Sequence, residues 1–378
     1  MTRRTAANGE PDQIRGGPSA TARAFLLSLL VFLAHVGCNA RVDRASDGGE
    51  GKGRKLVFTA AGDFGLGEEA RATLRLMGRT GADLHLALGD LSYGGPGSEP
   101  VWCGLVRSHV GEAPFYIVTG NHEDDYGEDG HIMNFARCLP GPVGVGGRYP
   151  TEYFWDYAGL ARFILISPDL TVDDRHYYYG DGNRNYRWLA AAVAGARDSG
   201  LPWVIVGMHK NCLSVGVNYC NVYQDLFSLL VELKVDLVLH AHDHVYQRSH
   251  QLATSPGCRQ VAVDAYSRRC VTDDGEDGHY AQGAGAVFVT VGTAGADLYE
   301  VNPDDPEAGY MARWMGANAE PRNGFLRVAL SERELAAEFV GSTTTSSFRD
   351  AFRIVAAESK GHRPASPRAS GAARRPAP

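Results

Sequence analysis

The sequence predicts an α/β fold, because short apolar runs alternate with helical patterns. Apolar runs bounded by turn residues are typical of buried strands, and five stand out: LVFTAAGDFG, LHLALGDLSY, FYIVTGNHE, WVIVGMH and LVLHAHDH. Helical patterns occupy residues 68–79, 183–197 and 222–233 in the intervals between them. This alternation favours a mostly parallel sheet with helices on its outside.

Four later apolar runs lie close together along the chain. They cover residues 287–292, 325–330, 335–341 and 352–355, and no long helical pattern separates them. We therefore expect a second, more antiparallel sheet that packs on the first. Both sheets would belong to one domain of residues 55–357.

Residues 1–38 have the features of an export signal. Four arginines precede an apolar stretch at residues 24–34, and small residues then surround Cys38, which is the order of a signal peptide. The stretch is shorter than the ~20 apolar residues that span a bilayer. HVGC resembles a bacterial lipoprotein signal, so two routes stay open: lipidation of Cys38, which would attach the protein to a membrane, and cleavage after Ala40. We expect a secreted or extracytoplasmic protein, in the periplasm or at the cell surface.

The other six cysteines also favour export. An even number of cysteines at short spacings in an exported chain is typical of disulfides. The simplest pairing joins sequence neighbours, namely Cys103 with Cys138, Cys212 with Cys220, and Cys258 with Cys270. Free thiols or a zinc site are the alternative, but no CxxC spacing supports them.

Composition indicates the structural character of the remaining segments and the kind of partner that the protein binds. Residues 39–54 are typical of a linker, and the Pro-, Ala- and Arg-rich residues 358–378 of a disordered tail. We expect residues 251–286 to form a surface insertion, whose acidic run is a solvated loop rather than a calcium site. The net charge is −7, opposite in sign to that of a nucleic-acid-binding protein. We therefore expect no nucleic acid partner, and attraction of an anionic substrate must come from bound metal.

Each of the five apolar runs ends in side chains that bind metals. Strand ends that lie side by side assemble one site, so we expect these side chains to meet. Carboxylates, a phenolate and an amide oxygen beside imidazoles suit transition metals of borderline softness. There are enough donors for two ions; the predicted ligands are Asp63, Asp90, Tyr93, Asn121, His209, His242 and His244.

These motifs, taken in order, resemble those of the calcineurin-like metallophosphoesterases. GDFG, GDLSY, GNHE, VGMH and HDH all occur, and Tyr93 makes the pattern similar to the purple acid phosphatases. NYRWL, HVYQRS and VTVGTAG further along the chain also resemble that family. The resemblance covers about residues 56–355. It implies a four-layer α/β/β/α sandwich of two mixed sheets, with a dinuclear metal site at the C-terminal ends of strands.

The resemblance also implies a role for each residue. Asp63, Tyr93 and His244 would hold Fe(3+), and Asn121, His209 and His242 would hold a divalent zinc, iron or manganese ion. Asp90 would bridge the two ions, and His122 would face the substrate and protonate the leaving group. The implied activity is hydrolysis of small-molecule phosphomonoesters by metal-activated hydroxide, in which Asp90 and His122 are the catalytic residues.

Two departures from the family pattern leave other activities open. Ala241 stands where the family has glycine. Plant-type enzymes carry a further histidine in the loop after VxxH, whereas residues 210–239 contain none; Lys210, Asn211 or Tyr219 would contact the phosphate instead. A phosphodiesterase or nucleotidase on the same site is therefore the alternative. A non-catalytic metal- or phosphate-binding protein is less favoured, because every motif ligand is present. Outside the motifs, His131 is the histidine that we expect nearest to the substrate.

Overall fold

Residues 53–357, the part of the chain that the computed structural model describes, contain five α-helices and nineteen β-strands. The helices are α1 (Glu68–Met77), α2 (Glu99–Val110), α3 (Ile132–Cys138), α4 (Arg184–Asp198) and α5 (Gln224–Glu232). The strands are β1 (Lys55–Ala61), β2 (Leu84–Ala87), β3 (Phe115–Ile117), β4 (Gly146–Arg148), β5 (Glu152–Tyr157), β6 (Ala161–Ile166), β7 (Thr171–Val172), β8 (Arg175–His176), β9 (Trp203–Met208), β10 (Leu237–His240), β11 (Tyr246–Ser249), β12 (Gln251–Leu252), β13 (Val271–Asp273), β14 (His279–Ala281), β15 (Val287–Val291), β16 (Met311–Met315), β17 (Gly324–Ser331), β18 (Glu334–Gly341) and β19 (Ala351–Val355). The predicted export signal with Cys38 and the predicted tail lie outside the described residues, as does nearly all of the predicted linker.

Most of the strands form two mixed sheets. The first sheet has the order β14-β19-β18-β17-β1-β2-β3, and the second has the order β16-β11-β15-β10-β9-β6-β5-β4. In the first sheet β1, β2 and β3 are parallel, while β17 pairs antiparallel with β1. In the second sheet β6, β9, β10 and β15 are parallel. Two short pairs, β7-β8 and β12-β13, lie outside these sheets.

The expected assignment of strands to sheets was wrong. The parallel strands divide between the two sheets instead of sharing one. The late strands β17, β18 and β19 extend the first sheet beside β1, whereas β15 joins the second sheet next to β10. The burial of these strands agrees with their positions. Strand β15 lies between β10 and β11 and is buried along its whole length, as a central strand with both faces covered is. Strand β18 alternates between buried and more exposed positions, as an antiparallel strand with one free face does.

The two sheets pack face to face, and helices cover their outer sides. Phe58 of β1 meets Phe163 of β6 with ring centroids 5.1 Å apart. On the outside of the first sheet, Trp102 of α2 packs on Phe115 of β3. On the outside of the second, Phe227 of α5 packs on Phe288 of β15. The four-layer α/β/β/α sandwich is therefore confirmed.

The helices form where the sequence has both an apolar stripe and suitable ends. In α1 the buried residues are Ala70, Thr73, Leu74 and Met77, which lie on one helical face. Glutamates occupy its first turn, where they interact favourably with the helix dipole. Helix α4 begins after Asn183, whose side chain accepts a hydrogen bond from the backbone N–H of Tyr186. The predicted helices at residues 68–79, 183–197 and 222–233 are thus confirmed to within two residues at each end.

The three predicted disulfides are present and join sequence neighbours as expected: Cys103–Cys138, Cys212–Cys220 and Cys258–Cys270. The segment 251–286 is not only a surface insertion, because Leu252, Cys258 and Cys270 are buried and β14 extends the edge of the first sheet. Among residues 53–357, no helix combines the length and the apolar character that crossing a membrane requires.

Candidate metal centre

The predicted ligands meet where parallel strands of both sheets end. Asp63, Asp90 and Asn121 follow β1, β2 and β3 of the first sheet, while His209 and His242 follow β9 and β10 of the second. We expected the edge of one sheet, and the cluster instead lies where two sheets come together. A hydrogen bond from the backbone N–H of His242 to Oδ2 of Asp63, 2.9 Å long, connects the two sides.

Three of the predicted ligands form a first group around Tyr93. The Tyr93 hydroxyl lies 3.0 Å from Oδ1 of Asp63 and 3.1 Å from Nε2 of His244. Nδ1 of His244 is 2.7 Å from the backbone carbonyl of Asp297. This contact fixes the ring, so that Nε2 faces the other two side chains.

A second group forms around His209. Its Nε2 lies 3.1 Å from Oδ1 of Asn121, and its Nδ1 lies 2.8 Å from the carbonyl of Leu88. One ligand atom from each of Asp90, His209 and His242 lies within 4.8 Å of the others. The second group therefore has an amide oxygen and two imidazoles, beside the carboxylate of Asp90.

Asp90 connects the two groups through one oxygen atom. Its Oδ2 lies 3.1 Å from the Tyr93 hydroxyl and 3.2 Å from Nε2 of His209. A carboxylate that lies between two sets of donors can bridge two neighbouring cations. The assignment of each residue to a particular ion stays a prediction.

Several predicted ligands have an unusual backbone conformation. Asp63, Asp90, Tyr93 and His242 have φ of 60°, 50°, 48° and 69°, in the left-handed region that residues other than glycine rarely adopt. Such strain persists only where the surrounding structure holds it in place, and it concentrates at functional sites.

Glu123, for which the sequence motifs predict no role, holds the strained turn at Asp90. Its buried carboxylate accepts hydrogen bonds from the backbone N–H groups of Asp90, Leu91 and Gly120. Burial, together with the negative charge of Asp90, raises the pKa of Glu123 to about 8. The position of Glu123 in GNHE could have indicated this role. A carboxylate that directly follows two site residues lies close to their backbone.

Glycines next to the ligands allow the loops to approach each other. A Cβ on Gly120 would lie 2.1 Å from Oδ1 of Asp90, and a Cβ on Gly62 would lie 2.4 Å from Cβ of Ala241. The second contact explains how alanine is accommodated where the family has glycine. Ala241 is fully buried, and the space for its methyl group exists because residue 62 has no side chain.

The electrostatics of the cluster fit bound cations. Burial and the negative charges of Asp63 and Asp90 raise the pKa of Tyr93 far above its usual value. Burial opposes ionisation of Asp90, but the neighbouring His209 and His122 outweigh it and lower the pKa of Asp90. Two buried carboxylates next to a phenol, with imidazole nitrogens aimed between them, form a donor set that positive ions would stabilise.

His122 lies beside the cluster and has one face open to solvent. Its ring is 4.5 Å from the ring of Tyr93, and its Nε2 is 3.7 Å from Oδ2 of Asp90. Its Nδ1 is 2.5 Å from Oδ2 of Asp129. Sequence reasoning missed Asp129, since it stands in an acidic, Gly-containing stretch with no spacing rule that connects it to His122.

Other residues singled out from the sequence have different positions. Asn211 is buried and donates to Asp243, so it does not face a substrate as we had expected. Lys210 pairs with Asp169 at 3.3 Å, while Tyr219 is largely exposed. His131 caps helix α3 by accepting from the Met133 N–H, and its Nε2 lies 3.0 Å from Asp125. The expectation that His131 lies in the substrate pocket therefore has no support from its contacts.

Comparisons with known proteins identify the family of this chain. The calcineurin-like phosphoesterase family matches residues 56–246, a range that contains every predicted ligand. Purple acid phosphatase 21 of Arabidopsis thaliana is 28% identical over 204 residues, which are 51% of this chain and 45% of that protein. Fe(3+)-Zn(2+) purple acid phosphatase 12 of the same plant is 24% identical over 258 residues, which are 63% and 50%.

The fold is similar to that of a solved enzyme structure. Purple acid phosphatase PPD1 from yellow lupin (Lupinus luteus) seeds superposes with a TM-score of 0.62 at 17% identity, over 81% of this chain and 54% of that one. This chain matches about half the length of these relatives. On the family match and these similarities, the chain belongs to the calcineurin-like phosphoesterase family and is a purple acid phosphatase-like member of it.

Proposed function

We propose that this protein is a dinuclear metallophosphatase of the purple acid type that hydrolyses phosphomonoesters. Asp63, Tyr93 and His244 would hold a ferric ion. Asn121, His209 and His242 would hold a divalent zinc, iron or manganese ion. The observation that carries the proposal is the position of Asp90, whose Oδ2 lies within 3.2 Å of donors from both groups.

Bound metal and the protein's side chains would contribute different parts of the reaction. When bound, two ions supply a strong nucleophile from water and stabilise the negative charge that develops on the phosphoryl group. Asp90 positions the two sites relative to each other. His122 would donate a proton to the leaving oxygen from Nε2, the nitrogen that Asp129 leaves free. General acid catalysis of this kind contributes about 10²–10⁴ in rate.

A phosphodiesterase or nucleotidase is the second candidate function, and the loop after His209 is the feature that favours it. This loop contains no histidine, Asn211 is engaged with Asp243 and Lys210 is paired with Asp169. Fewer of its cationic or proton-donating groups are therefore free to bind the doubly charged end of a monoester. Tyr219 is the exposed residue of this loop that remains available as a phosphate contact.

The proposed location is outside the cytoplasm, by secretion or in the periplasm or at the cell surface. The three disulfides support an oxidising compartment. The proposed partner is a small-molecule phosphoester, with no nucleic acid, and contact with a membrane would require lipidation of Cys38.

A substrate panel combined with Asp90→Ala tests the proposal. We expect wild-type protein to hydrolyse aryl monoesters in mildly acidic buffer, alkyl monoesters more slowly because their leaving groups need protonation, and diesters least. Asp90→Ala should lose both metals together, since one carboxylate serves both sites. A preference for diesters at every pH would replace the monoesterase proposal with the phosphodiesterase one. Loss of only one metal in Asp90→Ala would contradict the bridging role.

A further inference from the structure

The three histidines of the metal centre are held in two different ways. Nδ1 of His209 and Nδ1 of His244 both contact backbone carbonyls, so both rings present Nε2 to the centre. His242 differs, because its Nε2 lies 3.0 Å from the side-chain amide nitrogen of Asn221. With Nε2 in this contact, Nδ1 is the nitrogen that remains for a metal.

Hydrogen-bond chemistry then determines which way the amide of Asn221 faces. An imidazole that binds a metal through Nδ1 carries its proton on Nε2, so Nε2 must donate and its partner must accept. The amide oxygen of Asn221 can accept, whereas its NH₂ group cannot. Oxygen and nitrogen of an amide are assigned from the hydrogen-bond network, and a metal at Nδ1 requires that the oxygen of Asn221 faces His242.

Asn221 belongs to a loop that forms several hydrogen bonds with His242 and Asp243. The Asp243 carboxylate is fully buried and accepts hydrogen bonds from the side chains of Asn211, Ser214 and Asn218. Asn218 also donates to the backbone carbonyl of His242 at 3.2 Å. Residues 211–221, which we call the clamp loop, thus contact both residues on the N-terminal side of His244.

The ends of the clamp loop are fastened to each other. Cys212 and Cys220 form a disulfide across a separation of eight residues, and the backbone N–H of Asn221 donates to the carbonyl of Asn211 at 3.1 Å. Closing a loop lowers the conformational entropy that its residues lose when they become ordered. The disulfide therefore keeps Asn221 at the position where it meets His242.

We propose that Asn221 is a positioning residue for the metal centre, and that the Cys212–Cys220 disulfide holds it in place so that His242 presents Nδ1 to the divalent ion. The proposal rests on the proposed function, because it takes His242 to be a ligand. Partners that hold a metal-binding imidazole typically contribute 10- to 100-fold in metal affinity.

The test measures zinc affinity by competition with a chelator, on full-length protein, for substitutions of Asn221. Asn221→Leu removes the acceptor at similar size, and we expect zinc affinity to fall about 10- to 100-fold. Asn221→Asp retains an acceptor and should bind zinc at least as tightly as the wild type. Iron content should stay unchanged in both variants, because the first group of ligands does not contact Asn221. An unchanged iron content would also show that each variant is folded.

The disulfide is tested with a matched pair of double variants. Cys212→Ser with Cys220→Ser should lower zinc affinity, whereas Cys258→Ser with Cys270→Ser removes a disulfide of the 251–286 segment and should leave it unchanged. Equal zinc affinity in wild type and Asn221→Leu would overturn the inference while leaving the metal centre intact. If Asn221→Asp loses zinc as Asn221→Leu does, the assignment of Nδ1 is wrong. A wild type that binds no divalent ion would overturn both the inference and the proposed function.

Discussion

Nδ1 of His122 lies 2.5 Å from Oδ2 of Asp129, and this contact determines which nitrogen of the imidazole faces the metal-ligand cluster. Asp129 is itself held, because its Oδ1 accepts a hydrogen bond from the backbone N–H of Gly95 at 2.8 Å. The Nε2 of His122 then points toward Asp90, 3.7 Å from its Oδ2. We therefore propose that His122 donates a proton beside the centre, and that Asp129 acts on the chemistry only through His122.

The first prediction separates proton donation from metal binding. His122→Ala should retain both metals and lose roughly 10²–10⁴ in turnover, which is the typical contribution of a general acid. Metal content and kcat of the same preparation provide the measurement. If His122→Ala lost its metals, the division between ligand and acid would be incorrect.

A second prediction concerns Asp129. Asp129→Ala should lower kcat less than His122→Ala does, since the imidazole remains but is no longer held. The double variant should be no slower than His122→Ala alone, because two residues that act as a unit are not additive. Asp125→Ala is the matched control, since Asp125 holds His131 instead. Additive losses in the double variant would show that Asp129 acts independently of His122.

The contact between Gly62 and Ala241 leads to a prediction about stability. Gly62→Ala should destabilise the protein, since its new Cβ would lie 2.4 Å from Cβ of Ala241. Adding Ala241→Gly should recover part of the loss, but not all of it, because carbonyl oxygens of Leu88 and Gly89 would still lie 3.2 and 3.3 Å from the new Cβ. Urea unfolding of the two single variants and the double variant measures the coupling. Purely additive effects would contradict this packing.

Stability should also depend on pH through His85. This side chain is buried, with Nδ1 2.6 Å from Oγ1 of Thr59, and burial lowers its pKa from 6.5 to about 4. The unfolded chain therefore binds a proton more readily, so the stability due to neutral His85 is complete above pH 6.5 and is lost as the pH falls toward 4. The total loss is about 3 kcal/mol.

The measurement for His85 is the free energy of unfolding in urea between pH 7 and pH 5. Over this interval the free energy of unfolding of the wild type should fall by about 2 kcal/mol more than that of His85→Gln. His279→Gln, at an exposed position, controls for removal of an imidazole as such. Parallel pH curves for wild type and His85→Gln would contradict the buried neutral state of His85.

The clustering of the predicted ligands was largely predictable, because most of them stand directly after an apolar run. Five of them follow parallel strands, whose C-terminal ends lie at one edge of each sheet: Asp63, Asp90, Asn121, His209 and His242. The division of the strands between two sheets was not predictable, since an apolar run does not specify its neighbours. Disulfide pairing was predictable because short loops favour sequence neighbours.

The residues that support the centre were harder to predict. Glu123 and Asp129 bind backbone N–H groups or an imidazole in three dimensions, and no periodicity relates them to their partners. Asn221 lies 21 residues from His242 along the chain and reaches it only because the clamp loop folds back over Asp243. Such contacts depend on the path of loops, which the pattern of apolar residues does not specify.

Metal analysis combined with a visible spectrum of the purified protein tests the central claim most directly. We predict two metal ions per chain, one of them ferric, and a purple or pink colour from charge transfer between Tyr93 and iron. Tyr93→Phe should bleach that absorption and leave the fold intact. A colourless, fully active wild type that contains two divalent ions would contradict the assignment of iron to Asp63, Tyr93 and His244.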